Sequence, residues 1–297
     1  MDDLRAELSA WTLTVADVDA TIAMINACEL HDSGEVMWER ADLLADIATA
    51  GFDPDRDWVG VFDGERAVAW GLYIHPRRAW VDVHPHQRGR GVGTWLRRWA
   101  EERARASGAD RVGQTIDDER RSVCAMFEAN GYKPRHTSWV LRMDHPNEPS
   151  PPSSLDGIDL RPISSDDVAA TMTMFETAFS EFADRLPTSE ATWRAMTVER
   201  EGFAPDDLIL ALEDDHVIGG ALLLDADEIW VDKLAVAATH RHRGVARALL
   251  ETAFRRSFER GYDHTSLSTD SRTGALSLYE RVGMRVTRSF TNWGLDL

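Results

Sequence analysis

Short apolar runs broken by acidic turns alternate along the chain with stretches whose apolar residues recur every three to four positions. The runs predict strands: Trp58 to Phe62 and Ala67 to Ile74 around Asp63-Gly64, then Ala79 to Val83. A matching set is Leu208 to Glu213 and Val217 to Leu224 around Asp214 to His216, then Ile229 to Val236. Each set is followed by a long helix. Val92, Trp95, Leu96, Trp99 and Ala100 line one face of the first, and Val245, Ala248, Leu249, Thr252 and Ala253 line one face of the second. A strand and a helix close each set: Val112 to Ile116 with Arg121 to Asn130, and Thr265 to Leu267 with Gly274 to Val282. Helices are also predicted ahead of the strands, over Val15 to Ala27 and Val168 to Phe179. Glu35 to Ala50 and Ala191 to Val198 come second.

The repeated order is a duplication. ADVDATIAMI from Ala16 matches DDVAATMTMF from Asp166, RGRGVGTWL from Arg88 matches RHRGVARALL from Arg241, and FEANGY from Phe127 matches YERVGM from Tyr279. Three matches in one order at nearly constant offset mean two copies of one domain. Between them Met143 to Ile158 holds four of the eleven prolines with serines and acids, and it reads as a linker. The expected division is a first domain over 1–146, a linker over 147–157 and a second domain over 158–297. Each domain is α+β, an α/β sandwich whose mixed, mostly antiparallel sheet turns parallel around the long helix.

Composition narrows the function. Of 297 residues, 33 are basic and 51 acidic, a net charge of −18, which argues against nucleic-acid and anionic membrane partners. No apolar run reaches the roughly 18 residues of a membrane span, and Met1-Asp2-Asp3 lacks a signal peptide's basic start, so a cytoplasmic protein is expected. Cys28 and Cys124 are too few for a disulfide framework or thiolate metal site, and His84, His86, His240 and His242 lack ligand spacing, so no metal is expected. Trp95 and Trp99, on the buried helix face, read as core.

Against this acidic background two basic loops stand out, Arg88-Gly89-Arg90-Gly91-Val92-Gly93 and Arg241-His242-Arg243-Gly244-Val245-Ala246, each running into a helix. The first turn of a helix has unpaired N–H groups and a dipole that favours anions, and glycine lets a ligand approach the backbone. The pattern resembles a dinucleotide fingerprint in its glycines but fails on context. It lies about 90 residues into its domain, and the second copy has Ala246 for the last glycine.

Arg-x-x-Gly-x-Gly/Ala after a strand ending Leu234-Ala235-Val236 resembles the acetyl-CoA pyrophosphate motif of the GNAT acetyltransferase superfamily. Leu278-Tyr279-Glu280-Arg281-Val282-Gly283-Met284 is similar to its closing motif. The two-copy layout is similar to mycothiol synthase and its relatives. The resemblance implies that acetyl-CoA is the cosubstrate. Leu234, Ala235 and Val236 would hold its pantetheine arm, Arg241 to Arg247 its pyrophosphate, and Tyr279 would lie beside the thioester sulfur. In the first copy Val81, Asp82 and Val83 and the loop Arg88 to Gly93 correspond.

Acetyl transfer to an amine needs a neutral amine and a proton for the departing thiolate. A tyrosine, protonated at neutral pH, can supply that proton. Phe127 in the first copy preserves packing but cannot donate, so catalysis is expected in the second copy, with Tyr279 as acid. The family's glutamate position falls on Trp230, leaving Asp232 first and Glu228 second as base, all three on one face of an extended strand. Arg272 stands where an asparagine is frequent. Glu176, Glu181 and Asp184 are the acids near the expected acceptor pocket. The expected activity is N-acetylation of a small-molecule primary amine by a monomer or weak dimer, and the competing possibility is a CoA-binding regulatory or scaffolding module without turnover.

Overall fold

A computed structural model of the protein describes residues 4–36, 38–48, 51–181 and 187–297. The chain divides into two compact units, residues 1–137 with 290–297 and residues 138–289.

The elements of the first half are β1 (Leu8–Thr12), α1 (Val18–Asp32), α2 (Arg40–Ile47), α3 (Pro54–Asp57), β2 (Trp58–Asp63), β3 (Arg66–Ile74), β4 (Arg78–Val83), α4 (Val92–Ala106), β5 (Arg111–Asp117), α5 (Arg121–Ala129) and β6 (Lys133–Asp144). The second half has β7 (Ile158–Pro162), α6 (Val168–Phe179), α7 (Glu190–Met196), β8 (Leu208–Glu213), β9 (His216–Asp225), β10 (Ile229–Val236), α8 (Val245–Glu259), β11 (His264–Asp270), α9 (Leu276–Arg281) and β12 (Arg285–Asp296).

In unit 1 the sheet order is β1-β2-β3-β4-β5, completed by Phe290–Asp296 of β12 antiparallel to β5. In unit 2 it is β7-β8-β9-β10-β11, completed by Ser138–Asp144 of β6 antiparallel to β11. Neighbours are antiparallel except β4 with β5 and β10 with β11. This is the expected mixed α+β sheet. The compact units, however, do not follow the expected boundaries at 146 and 158, because each sheet's last strand comes from the other half of the sequence. Sequence periodicity cannot reveal this, since strand pairing is a long-range choice.

The apolar stripes are buried as spaced. Trp95 and Trp99 are 7% and 8% exposed on α4, packed with Val112, Phe127 and Trp293. On the opposite face of the unit 1 sheet, Ile25 and Leu43 pack against Trp58, Trp70 and Leu72. Unit 2 repeats the sandwich, with Leu249, Ala253 and Phe254 on one face and Phe175, Trp193 and Leu210 on the other. Each fully buried large apolar side chain contributes roughly 1.5–3 kcal/mol. Among the described residues no helix is long and apolar enough to cross a membrane.

Local differences from the expected elements have physical causes. α1 starts at Val18 because Asp17 accepts from the N–H and hydroxyl of Thr14 at 2.8 and 2.9 Å, closing a separate 3-10 turn first. The second helical stretch is shorter than expected, Arg40–Ile47, and residues 37, 49 and 50 lie outside the described residues. β1, β6, β7 and β12 lack a clean apolar alternation, and β6 and β7 take both ends of the presumed linker, Met143, Asp144 and Ile158.

Candidate functional site

The site begins with a fault in a strand. β10 pairs antiparallel with β9 from Ile229 to Val236, but its register shifts between Val231 and Lys233, so Asp232 is an extra, bulged residue. Its parallel pairing with β11 covers only Ile229 to Val231, opposite Thr265 to Leu267. Beyond that the strands part. The edge of Lys233 to Val236 that faces β11 has no strand paired to it, and the Val236 carbonyl accepts from Arg241 instead.

Where the strands separate, a cleft of about 1060 Å³ opens, wholly within unit 2. Its walls include Asp232, Leu234, Ala235 and Val236 from β10, and Arg241, His242, Gly244, Val245, Ala246 and Arg247 from the loop and α8. Thr269, Asp270, Arg272, Thr273, Ser277 and Tyr279 line it from β11, the segment leading into α9, and α9 itself. Arg243 is absent from the lining.

The loop has the shape an anion needs. Gly244, at φ 86°, caps α8 in the left-handed region, and the helix's own bonds begin with Ala248 N–H to Gly244 C=O at 3.0 Å. The N–H groups of Val245, Ala246 and Arg247 therefore have no acceptor within the helix. The arginines have carboxylate partners. Arg241 bonds both oxygens of Glu181 at 2.8 and 3.1 Å and the Val236 carbonyl at 3.2 Å. Arg243 bonds both oxygens of Glu213 at 3.2 and 2.5 Å, and Arg247 bonds Glu251 at 2.7 Å. The Arg243 guanidinium and then His240 hold the Glu213 carboxyl down at about 2. The fixed donors for an anion are thus the backbone amides, with the side chains shaping the loop.

Tyr279 is 7% exposed on α9 and borders the cleft. Among the described residues its hydroxyl has no hydrogen-bond partner, and burial pushes it up to about 12, so it keeps its proton at neutral pH. Asp232 also borders the cleft and is ion-paired to Lys233. Glu228 does not line it, because its carboxylate is held by His264 at 2.8 Å and by the Ser266 hydroxyl. The single face expected for Glu228, Trp230 and Asp232 does not form, because Glu228 precedes β10 and Asp232 is the bulged residue. Arg272 turns back on Asp270, with Nη2 at 2.7 Å.

Several lining residues carried no sequence signal. Ser138 reaches the cleft because the Ser138–Asp144 part of β6 belongs to unit 2, while Ala178 and Phe179 come from the end of α6. The small and polar run SRTGALS before Tyr279 was the one hint of a ligand wall. Of the acids expected near an acceptor, Glu181 lines the cleft, Glu176 accepts from the Thr188 N–H at 3.1 Å, and Asp184 lies outside the described residues.

Unit 1 repeats the loop. Gly89 and Gly91 are left-handed at φ 73° and 87°, Val92 anchors α4 in the core, and Gly93 sits in its first turn. Arg88 bonds the Val83 carbonyl at 2.9 Å and both oxygens of Asp32 at 2.5 and 2.9 Å, and Arg90 bonds Glu7 at 3.0 Å. Val81 packs against the α4 core, and Asp82 is ion-paired to Arg120. Burial pushes the Cys28 thiol up to about 12, so it stays protonated against the Val83 carbonyl. Among the described residues no three His, Cys, Asp or Glu side chains cluster to hold a metal ion.

Comparison with known proteins agrees with the duplicated architecture. The profile of the "Acetyltransferase (GNAT) family" matches residues 23–132 and again 170–284. A GCN5-related N-acetyltransferase from Sphaerobacter thermophilus is 30% identical, with a TM-score of 0.81 over 99% of this chain and 96% of that one. A tandem GNAT protein of the clavulanic acid biosynthesis pathway, 17% identical, shares the fold with a TM-score of 0.74 over 98% of each chain. The uncharacterized N-acetyltransferase YsnE of Bacillus subtilis is 33% identical over 91 residues, 29% of this chain, which spans 60% of that relative's length.

Proposed function

The chain belongs to the acetyltransferase (GNAT) family, and from that premise we propose that unit 2 transfers the acetyl group of acetyl-CoA to the primary amine of a small molecule. The observation that carries this reading is Tyr279, a side chain buried to 7% exposure whose hydroxyl has no partner among the described residues, at a cleft bounded by an unpaired strand edge and a helix N-terminus. That combination fits a thioester on an amide arm ending in a pyrophosphate. The edge of Lys233 to Val236 would take the arm's amides. The amides of Val245, Ala246 and Arg247 would take the phosphates.

Acetyl-CoA supplies the activated acyl group, and the protein's residues manage geometry and protons. The amine nitrogen forms a bond to the thioester carbon, the C–S bond breaks, and the sulfur leaves with the electron pair. Tyr279 donates its proton to that sulfur. The desolvation that raises the tyrosine raises the basicity of a thiolate expelled beside it, so the transfer is better matched than solution values indicate. Asp232, at the bulge, takes the proton lost by the amine, directly or through water.

A competing reading is a CoA-binding module without turnover. It is favoured by Trp230 standing where the family resemblance implies a glutamate and by Glu228 being engaged with His264. Incubating the protein with acetyl-CoA and a panel of primary amines, and following free thiol, separates the two. Amine-dependent thiol release supports catalysis; tight CoA binding with no release across the panel supports the module.

A further inference from the structure

We propose that unit 1 takes no CoA ligand, because an ion pair of its own, Arg120 with Asp82, closes the groove that stays open in unit 2. The inference rests on reading the unit 2 cleft as the donor site.

The two sheets can be compared position by position through strand pairing. Asp82 on β4 lies opposite Trp70, and Ala235 on β10 lies opposite Gly220. Asp82 and Trp70 therefore occupy the places of Ala235 and Gly220. In unit 2, Ala235 and the loop residues Arg272, Thr273 and Gly274 all line the open cleft. In unit 1 the corresponding strand and loop are joined. Arg120, at the end of the loop from β5 into α5, lies 3.6 Å from Asp82 and 3.6 Å from Asp32, which Arg88 already holds by two hydrogen bonds. The side chains of Arg120, Asp82 and Asp32 are only 26%, 23% and 17% exposed.

The loop arginine of unit 2, Arg272, instead bonds Asp270 at the end of β11, since Ala235 offers it no carboxylate. Trp70, 2% exposed and in contact with Trp38, fills the face that Gly220 leaves to Phe175. An arm lying along β4 would have to part a withdrawn ion pair and leave the Asp82 carboxylate without its arginine, which is costly. Phe127 in place of Tyr279 is consistent with a copy released from chemistry.

Calorimetric titration of the full chain with coenzyme A tests this. One site per chain is expected, and Ala246→Glu, which sets a carboxylate at the N-terminus of α8, should abolish it. Asp82→Ala combined with Arg120→Ser should raise the count to two, and in the Ala246→Glu background should restore one. Two sites in the wild-type chain, a site that survives Ala246→Glu, or no gain in the double variant with an unchanged melting curve would each overturn the proposal. If the double variant does not fold, Asp82→Asn, which keeps the size and removes the charge, is read by the same counts. A wild-type chain that binds nothing overturns the unit 2 reading instead, and a site gained on opening the strap then still supports the closure of unit 1.

Discussion

Arg241 donates its Nε hydrogen to the Val236 carbonyl at 3.2 Å, so the arginine that opens the anion-shaped loop holds the end of the strand before it. Arg88 does the same to Val83 at 2.9 Å. In both units a carboxylate near the end of the first long helix takes the rest of the guanidinium, Glu181 in one and Asp32 in the other. Glu181→Gln should weaken coenzyme A binding about threefold, a modest effect because the pair is exposed. The turnover number should stay within error, and a binding isotherm with matched kinetics measures both.

Tyr279→Phe removes one oxygen from a packed ring. Turnover should fall about 10²-fold or more, as for loss of a positioned general acid, while the dissociation constant for acetyl-CoA stays within about twofold. Thiol release against calorimetric affinity reads the two separately. An unchanged turnover number would remove Tyr279 from the mechanism.

Asp232 and Glu228 make opposite predictions. Asp232→Asn should lower turnover and move the activity profile to higher pH, because the amine must then lose its proton unaided. Glu228→Gln, altering a carboxylate held by His264 and Ser266 away from the cleft lining, should leave turnover within about twofold. A full pH–rate profile of each variant distinguishes them.

Gly91 and Gly244 cap equivalent helices with nearly the same left-handed backbone, φ 87° and 86°. Alanine at either costs about 1–2 kcal/mol of conformational strain. A Cβ at Gly91 meets nothing within 4 Å, whereas at Gly244 it comes within 3.3 Å of Leu155. Denaturant melts should therefore show Gly244→Ala as the more destabilising substitution.

The Asp82 carboxyl is pushed up to about 6 by burial, against the pull of Arg120. A carboxyl raised on folding means the native state binds more protons than the unfolded chain between about pH 4 and 6, so stability falls as pH rises through that window. Asp82→Asn removes this slope. The stability of wild type relative to the variant should decline from pH 4 to 7 and then level off, as read from urea melts in a series of buffers.

The sequence by itself determined what local burial dictates. Repeated i, i+3, i+4 stripes such as Val92-Trp95-Leu96-Trp99 foretell buried helix faces, a Gly-punctuated basic loop foretells a helix start, and three matched segments foretell two copies. Tyr279 against Phe127 was legible because a single oxygen separates two otherwise equivalent packed rings. Only the tertiary structure decided that Phe290–Asp296 completes the first sheet, that Ser138 reaches the second unit's cleft, and that Asp232, at a bulge, borders that cleft while Glu228 pairs with His264. It alone joined Arg120 to Asp82 while turning Arg272 onto Asp270. Periodicity records how often a residue faces the interior, which is a local property. Which strand it pairs with, and which charge lies across the groove, depend on contacts between residues far apart in the chain.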